Sequence, residues 1–215
     1  MSEMEIARFT FNPIAVNTYV IESAGECVVV DPGCINDMER GMLAKHIEER
    51  QLKVVGIWLT HLHFDHVWSV SKLQKKWGVE VYASEQDEFL IEGNEQFTIE
   101  WSLPGVEKFR IGRAIEDGEE LTVGGTKWRV ISTPGHTPGG VTFYNSEEKV
   151  CLTGDTLFCG GVGRTDFPMG DSAALADSVR NRLLTLAEDI RVLPGHGPET
   201  TIGKERLMVG CWFPE

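Results

Sequence analysis

The sequence predicts an α/β protein: two mixed β-sheets facing each other, with helices on the outside. Three observations predict it. Short apolar runs bounded by Gly, Pro and Asn recur through both halves of the chain, as buried strands do. Segments with apolar residues at helical spacing lie between them. No low-complexity stretch or linker divides the 215 residues, so a single domain, residues 1–215, is expected. Paired sheets are the simplest way for it to bury so many strands. A chain of this length buries roughly 70–75% of its unfolded surface and needs no staples.

Taken in order, Met4 to Phe11 and Thr18 to Ile21 read as strands, with Asn12-Pro13 turning between them. Gly25 turns again before the buried strand Cys27 to Val30. Asn36 is placed to cap a helix to about Arg50, with Met38, Met42, Leu43 and Ile47 facing inward. Val54 to Leu59 returns to a sheet. A helix with Val67, Val70, Leu73 and Trp77 on one face follows, and Gly78 ends it. Val79 to Tyr82 is a further strand, and Ser84 caps a short helix through Phe89 or Leu90. Gly93 to Asp117 is the least periodic part. It reads as a long loop walling the site, since loops of this length are often functional. Glu119 to Val123, Thr126 to Ile131, Gly140 to Tyr144 and Lys149 to Leu152 form a second set of strands. Asp171 caps a helix to about Ala187. Ile190 to Leu193 is one more strand, and Thr201 to Met208 a final helix. The tail Trp212-Phe213-Pro214 is apolar enough to dock on the body or on a partner.

Charge narrows the function classes. Twenty Lys and Arg stand against 33 Asp and Glu, a net −13. No basic patch is evident, so nucleic acid is not an expected partner. An anionic small molecule is still compatible, because bound cations reverse the local sign. The five cysteines, Cys27, Cys34, Cys151, Cys159 and Cys211, fit neither a Cys-x-x-Cys site nor a disulfide framework. Cys27 and Cys151 lie in apolar runs and pack; Cys159 lies near Asp155. Met1 to Arg8 is acidic and has no long apolar core, so it does not read as a signal peptide. No apolar run is long enough to span a membrane. A reducing cytoplasm is the expected compartment.

The chemistry gathers at Thr60-His61-Leu62-His63-Phe64-Asp65-His66. Half of the six histidines sit in these seven residues. The stretch joins a strand to a helix, where a rigid scaffold can aim several side chains at one point. Imidazole and carboxylate suit zinc, iron and manganese. His61 and His63 can share one ion, while Asp65 and His66, displaced along the loop, can serve a second. Two ions need further ligands. Three strand ends offer them, each at a glycine break: His136 in Thr133-Pro134-Gly135-His136, Asp155 in Thr153-Gly154-Asp155, and His196 in Leu193-Pro194-Gly195-His196.

In these residues, in this order, the chain resembles the metallo-β-lactamase fold superfamily, and within it the short single-domain form of the glyoxalase II-like branch, the hydroxyacylglutathione hydrolases. Val30-Asp31-Pro32-Gly33 and Gly163-Arg164-Thr165-Asp166-Phe167-Pro168 add to the resemblance, which runs from about Asn17 to Arg206. It implies a four-layer αβ/βα sandwich with the metals at one edge between the sheets. It implies two divalent ions, zinc foremost, with iron or manganese as alternatives. His61, His63 and His136 would hold the first; Asp65, His66 and His196 the second. Asp155 would bridge them, and Asp31 would steady the ligand loop by hydrogen bonds. Asp65 and Asp155 would be the catalytic carboxylates, and Arg164 the substrate-binding cation or simply the partner of Asp166. The implied reaction is attack of metal-activated water on a small thioester, S-D-lactoylglutathione or another acylglutathione. Where the larger enzymes carry a tyrosine after the last histidine, this chain has Gly197-Pro198. Persulfide dioxygenases share the fold and the Gly-Arg-Thr-Asp-Phe element and use one iron on the equivalents of His61, His136 and Asp155. A lactone or other ester is the further alternative.

Overall fold

Alternation along the strands builds the molecule. The computed structural model describes residues 4–213. Six strands form the first sheet: β1 (Glu5–Phe11), β2 (Val16–Ser23), β3 (Glu26–Val30), β4 (Lys53–Trp58), β5 (Val81–Ala83) and β6 (Arg113–Ala114). They pair in chain order, antiparallel from β1 to β3 and parallel from β3 to β6. The second sheet uses β7 (Glu120–Val123), β8 (Thr126–Ser132), β9 (Val141–Asn145) and β10 (Val150–Gly154). After the small hairpin β11 (Leu157–Phe158) and β12 (Gly161–Val162), β13 (Arg191–Pro194) and β14 (Thr200–Thr201) complete it. Its order is β14-β13-β10-β9-β8-β7, with β10 and β13 parallel. Both sheets are therefore mixed, as the pattern of strands predicts.

Period-two alternation divides each central strand between two cores. In β3, Val28 and Val30 face the second sheet while Cys27 and Val29 face helices. In β10, Val150 and Leu152 face the first sheet while Cys151 faces the other way. Trp58 meets Trp128 and Phe143 across the sandwich, with ring centroids 6.3 and 5.2 Å apart. Strands buried on both faces read as continuous apolar runs, which is why β3 is visible without alternation in polarity.

The helices fill the outer layers. Asn36 caps α1 (Asp37–Glu49), its side chain accepting from Glu39 N–H at 2.9 Å. Leu43, Ala44 and Ile47 are buried, but Met38 and Met42 are 72% and 51% exposed. At about 100° per residue the two methionines lie on the side of the helix away from Leu43 and Ile47, so they cannot share that face. The expected single helix after the histidine loop is two, α2 (Phe64–Val67) and α3 (Val70–Trp77), and Gly78 ends the second in a left-handed conformation. A 3-10 turn (Glu85–Asp87), capped by Ser84, leads into α4 (Phe89–Glu100). That helix occupies part of the stretch expected as loop. Its buried stripe is Leu90, Asn94 and Thr98, spaced four apart but two-thirds polar, so no apolar period marks it. Asp171 caps α5 (Ser172–Asp177), accepting from Ala173 and Ala174 N–H. The helix then widens into a π-helical stretch, Ser178–Leu183, and stops short of the expected Ala187. Thr201 caps α6 (Ile202–Arg206), and α7 (Val209–Trp212) follows separately. Trp212 and Phe213 of the apolar tail pack against the outer core of the second sheet; Pro214 lies outside the described residues.

The two sheets are tied at one edge, where the histidine loops emerge. Val141 N–H donates to Thr60 O at 2.8 Å and Asn17 N–H to Gly195 O at 2.7 Å.

Candidate metal centre

That edge collects every sequence-predicted ligand position. His61, His63, Asp65 and His66 come from the loop and first turn after β4; His136 from the β8–β9 turn; Asp155 from the end of β10; His196 from the turn after β13. Donor atoms of His61, His63 and His136 lie within 4.8 Å of one another, and so do those of Asp65, His66 and His196. Asp155 groups with His61 and His66 in the same way. Its Oδ2 is 3.5 Å from His136 Nε2 and 3.6 Å from His196 Nε2, and its Oδ1 is 3.3 Å from His66 Nε2. Asp65 Oδ2 is 3.2 Å from His196 Nε2. Two glycines make this convergence possible. A Cβ on Gly195 would lie 2.2 Å from Asp155 Oδ1, and one on Gly154, at φ +51°, would lie 2.3 Å from Thr60 Oγ1.

The outer edge of each ring fixes its tautomer. His66 Nδ1–H donates to Asp31 Oδ2 at 3.0 Å, His136 Nδ1–H to Arg164 O at 2.7 Å, and His196 Nδ1–H to Ile14 O at 3.2 Å. Asp31 also accepts from Thr60 N–H at 2.8 Å and from the Thr60 hydroxyl at 2.6 Å. With its proton committed to Asp31, Thr60 Oγ1 accepts from His61 Nδ1–H at 3.1 Å. Asp31 thus bonds to both Thr60 and His66 of the loop after β4. In the neutral form of these four rings Nε2 carries the lone pair and faces inward, and His63 places Nδ1 2.8 Å from His136 Nε2.

Two acceptors at the centre of this cluster lack a donor. His61 Nε2 and Asp155 Oδ1 are buried without a hydrogen-bond partner, whereas buried polar atoms are almost always paired. A cation is what such a cluster fits, and an imidazole whose other nitrogen is anchored is the usual ligand. Burial pushes the His61 and His63 imidazoles down, His63 to about 3, so both are neutral and able to ligate at pH 7. Burial pulls His66 and His196 the same way, but the Asp155 and Asp65 carboxylates outweigh it and raise both. Burial would likewise raise Asp65 and Asp155; the imidazoles, His66 first, hold both carboxyls ionised instead.

Above the donors is a cavity of about 340 Å³. Its floor is His63, Asp65, His136, Asp155 and His196; its walls are Ile14, Phe64, Trp101, Phe158, Val162 and Phe167, with Arg164 at the side. Trp101 belongs to the stretch expected as a wall. Arg164 donates twice to Asp166, both at 2.6 Å, and its guanidinium lies 4.1 Å from the Phe167 centroid. Cys159 is exposed on the β11–β12 turn, outside the three donor groups.

Sequence reading missed the residues that lock the ligand loops together. The buried Asp87 carboxylate accepts from Leu62 N–H at 3.3 Å, the Thr137 hydroxyl at 2.7 Å and Gly139 N–H at 2.6 Å. Asn94 Nδ2 donates to Leu62 O at 2.8 Å. Nothing in the sequence separates Asp87 from its acidic neighbours. Asn94 carried one signal: it stands where Leu90 and helical spacing call for an apolar residue.

The profile of the metallo-beta-lactamase superfamily matches residues 11–196. The chain belongs to the metallo-beta-lactamase superfamily. Hydroxyacylglutathione hydrolase GloC of Haemophilus influenzae is 42% identical over 180 residues, covering 83% of each chain. The probable metallo-hydrolase YqgX of Bacillus subtilis is 34% identical over 205 residues, 94% of this chain and 95% of that one. Among solved structures, TTHA1623 in a di-iron-bound form superposes with a TM-score of 0.83 at 37% identity, covering 94% and 98% of the two chains. This member of the metallo-beta-lactamase superfamily is accordingly a metallo-hydrolase by fold and relatives.

Proposed function

We propose that the protein hydrolyses a small thioester, S-D-lactoylglutathione or another acylglutathione, using two divalent ions. The observation that carries this reading is the pair of buried, unpartnered acceptors in the donor cluster beneath the cavity, His61 Nε2 and Asp155 Oδ1. Divalent ions bound there supply Lewis acidity, lowering the pKa of water from about 15.7 to near 7 and polarising a carbonyl. His61, His63 and His136 would hold one ion and Asp65, His66 and His196 the other, with Asp155 within reach of both groups. The Asp31–Thr60 pair keeps the His61 and His66 lone pairs pointed inward. Asp65, kept ionised by its neighbours, takes up the proton released as water adds to the carbonyl. The carbon–sulfur bond then breaks, the thiolate gains that proton, and the carboxylic acid formed gives up water's second proton to solvent and leaves as a carboxylate. Arg164 has Nε and Nη2 engaged with Asp166, leaving Nη1 for an outlying substrate carboxylate.

The GloC relative supports acylglutathione as the substrate. Zinc is our first assignment; the di-iron form of TTHA1623 supports iron as an alternative, since the same donors suit both. No described helix is long and apolar enough to cross a membrane, and the free thiols fit a reducing cytoplasm. The test is metal analysis of the purified protein with an assay of thiol release from S-D-lactoylglutathione. Release that stops on chelation and returns with zinc is expected. No release at full metal loading would refute the thioester, and oxygen uptake with glutathione persulfide on a single iron would replace it with dioxygenation.

A further inference from the structure

The walls of the cavity say more about the substrate than its floor does. Phe167 packs edge-on against His63, centroids 5.3 Å apart, and Phe158 stands 6.2 Å from His196. An aromatic side chain therefore flanks the donors on either side. Phe64 touches Trp101 at 5.9 Å, and Phe97 links Phe64 to Phe167 at 6.4 and 5.8 Å. This wall is fixed before any ligand arrives. Trp101 closes α4, its N–H bonded to Phe97 O, and Trp68 Nε1–H anchors the following segment at Pro104 O, 2.9 Å away. Trp101 is nevertheless 47% exposed, a large apolar face without a partner at the rim of a cavity.

Polar partners for a substrate are scarce. Beyond the metal donors, the lining offers the Trp101 indole N–H and Arg164, whose charge is offset by the Asp166 carboxylate. Arg164 Nη1 is the one cationic contact these lining residues leave for the carboxylates of a glutathionyl group. Discrimination among acylglutathiones must come from the acyl side, through apolar contact.

We infer that the Phe64–Trp101–Phe167 wall is an acyl-group subsite that selects an aryl or other bulky apolar acyl chain over lactoyl. The inference rests on the thioesterase reading above and names its substrate class. Size allows it: about 150 Å³ accommodates benzene, and the cavity offers about 340 Å³. Even one methylene in a fitted apolar pocket changes kcat/KM by roughly 10–200-fold, and phenyl adds several carbons to methyl.

S-D-lactoylglutathione and S-D-mandeloylglutathione differ only in that group. With the zinc-loaded protein, kcat/KM for the mandeloyl ester should be at least about tenfold higher. Trp101→Ala should lower the mandeloyl value by about tenfold more than the lactoyl value, and Trp101→Phe should retain most of the preference. Melting temperature and zinc content check that the variants fold. Equal rates, or faster lactoyl hydrolysis, overturn the inference and leave the thioesterase reading standing. If neither ester is cleaved, that reading fails, and calorimetry with D-mandelate and D-lactate judges the wall alone. Tighter mandelate binding by about tenfold, lost in Trp101→Ala, sustains the apolar subsite; equal binding removes it.

Discussion

Replacing Asp31 by Asn tests how one side chain controls the ligating state of His66. Asp31 is 2% exposed, and its backbone at φ +50° is a conformation Asn tolerates. Oδ1 accepts from Thr60 N–H; Oδ2 accepts from the Thr60 hydroxyl and from His66 Nδ1–H. In Asp31→Asn the Oδ1 bond can persist, but an NH₂ group replaces Oδ2 and faces two donors. His66 relieves the clash by moving its proton to Nε2, which removes the lone pair aimed at Asp65, His196 and Asp155. Loss of such an outer partner lowers metal affinity by about 10–100-fold, or about 1.4–2.7 kcal/mol. Zinc titration against a competing chelator indicator reads this directly, beside urea unfolding of the metal-free protein. We expect one of two zinc ions to weaken by that factor. Two ions bound with parental affinity by a folded variant would refute the tautomer argument.

Three further outcomes follow from the same geometry. His61→Ala removes an inward lone pair, and zinc stoichiometry by mass spectrometry under native conditions should fall below two, with thiol release lost. Gly195→Ala places a methyl 2.2 Å from Asp155 Oδ1 and 2.7 Å from His66 Cε1, so metal binding should fail while circular dichroism stays near parental. Asp87→Asn puts an NH₂ group among donors from Leu62, Thr137 and Gly139, and urea unfolding should register a loss of about 1–3 kcal/mol. Burial raises the Asp87 carboxyl despite those bonds. The folded state then binds its proton more readily than the unfolded state, so this group makes stability fall as pH rises above the ordinary carboxylate range. Asp87→Asn should remove that slope from the metal-free protein's stability–pH curve.

The strands were legible because burial on one or both faces writes directly into residue order, as β2, β3 and β10 show. The candidate ligands were legible because each follows a strand and a tight turn, and seven such residues in one chain are hard to explain apart. α4 was hidden because its buried stripe, Leu90, Asn94 and Thr98, serves hydrogen bonding as well as packing. Met38 and Met42 were misplaced by counting apolar residues without following the helical turn. The roles of Asp87, Thr60 and the aromatic wall depend on contacts between residues far apart in the chain, such as Asp87 with Thr137 and His63 with Phe167, and local order does not encode those.

His61, His63, Asp65 and His66 hang from the first sheet, and His136, Asp155 and His196 from the second. Neither half of the chain holds a finished coordination sphere, so cations can be captured tightly only after the halves have docked. Metal uptake is then a late event in the life of each newly made chain, and a loaded ion certifies that the long-range assembly was completed. Isolated residues 1–116 should bind zinc weakly, and supplying the complementary half should restore tight binding together with the sandwich.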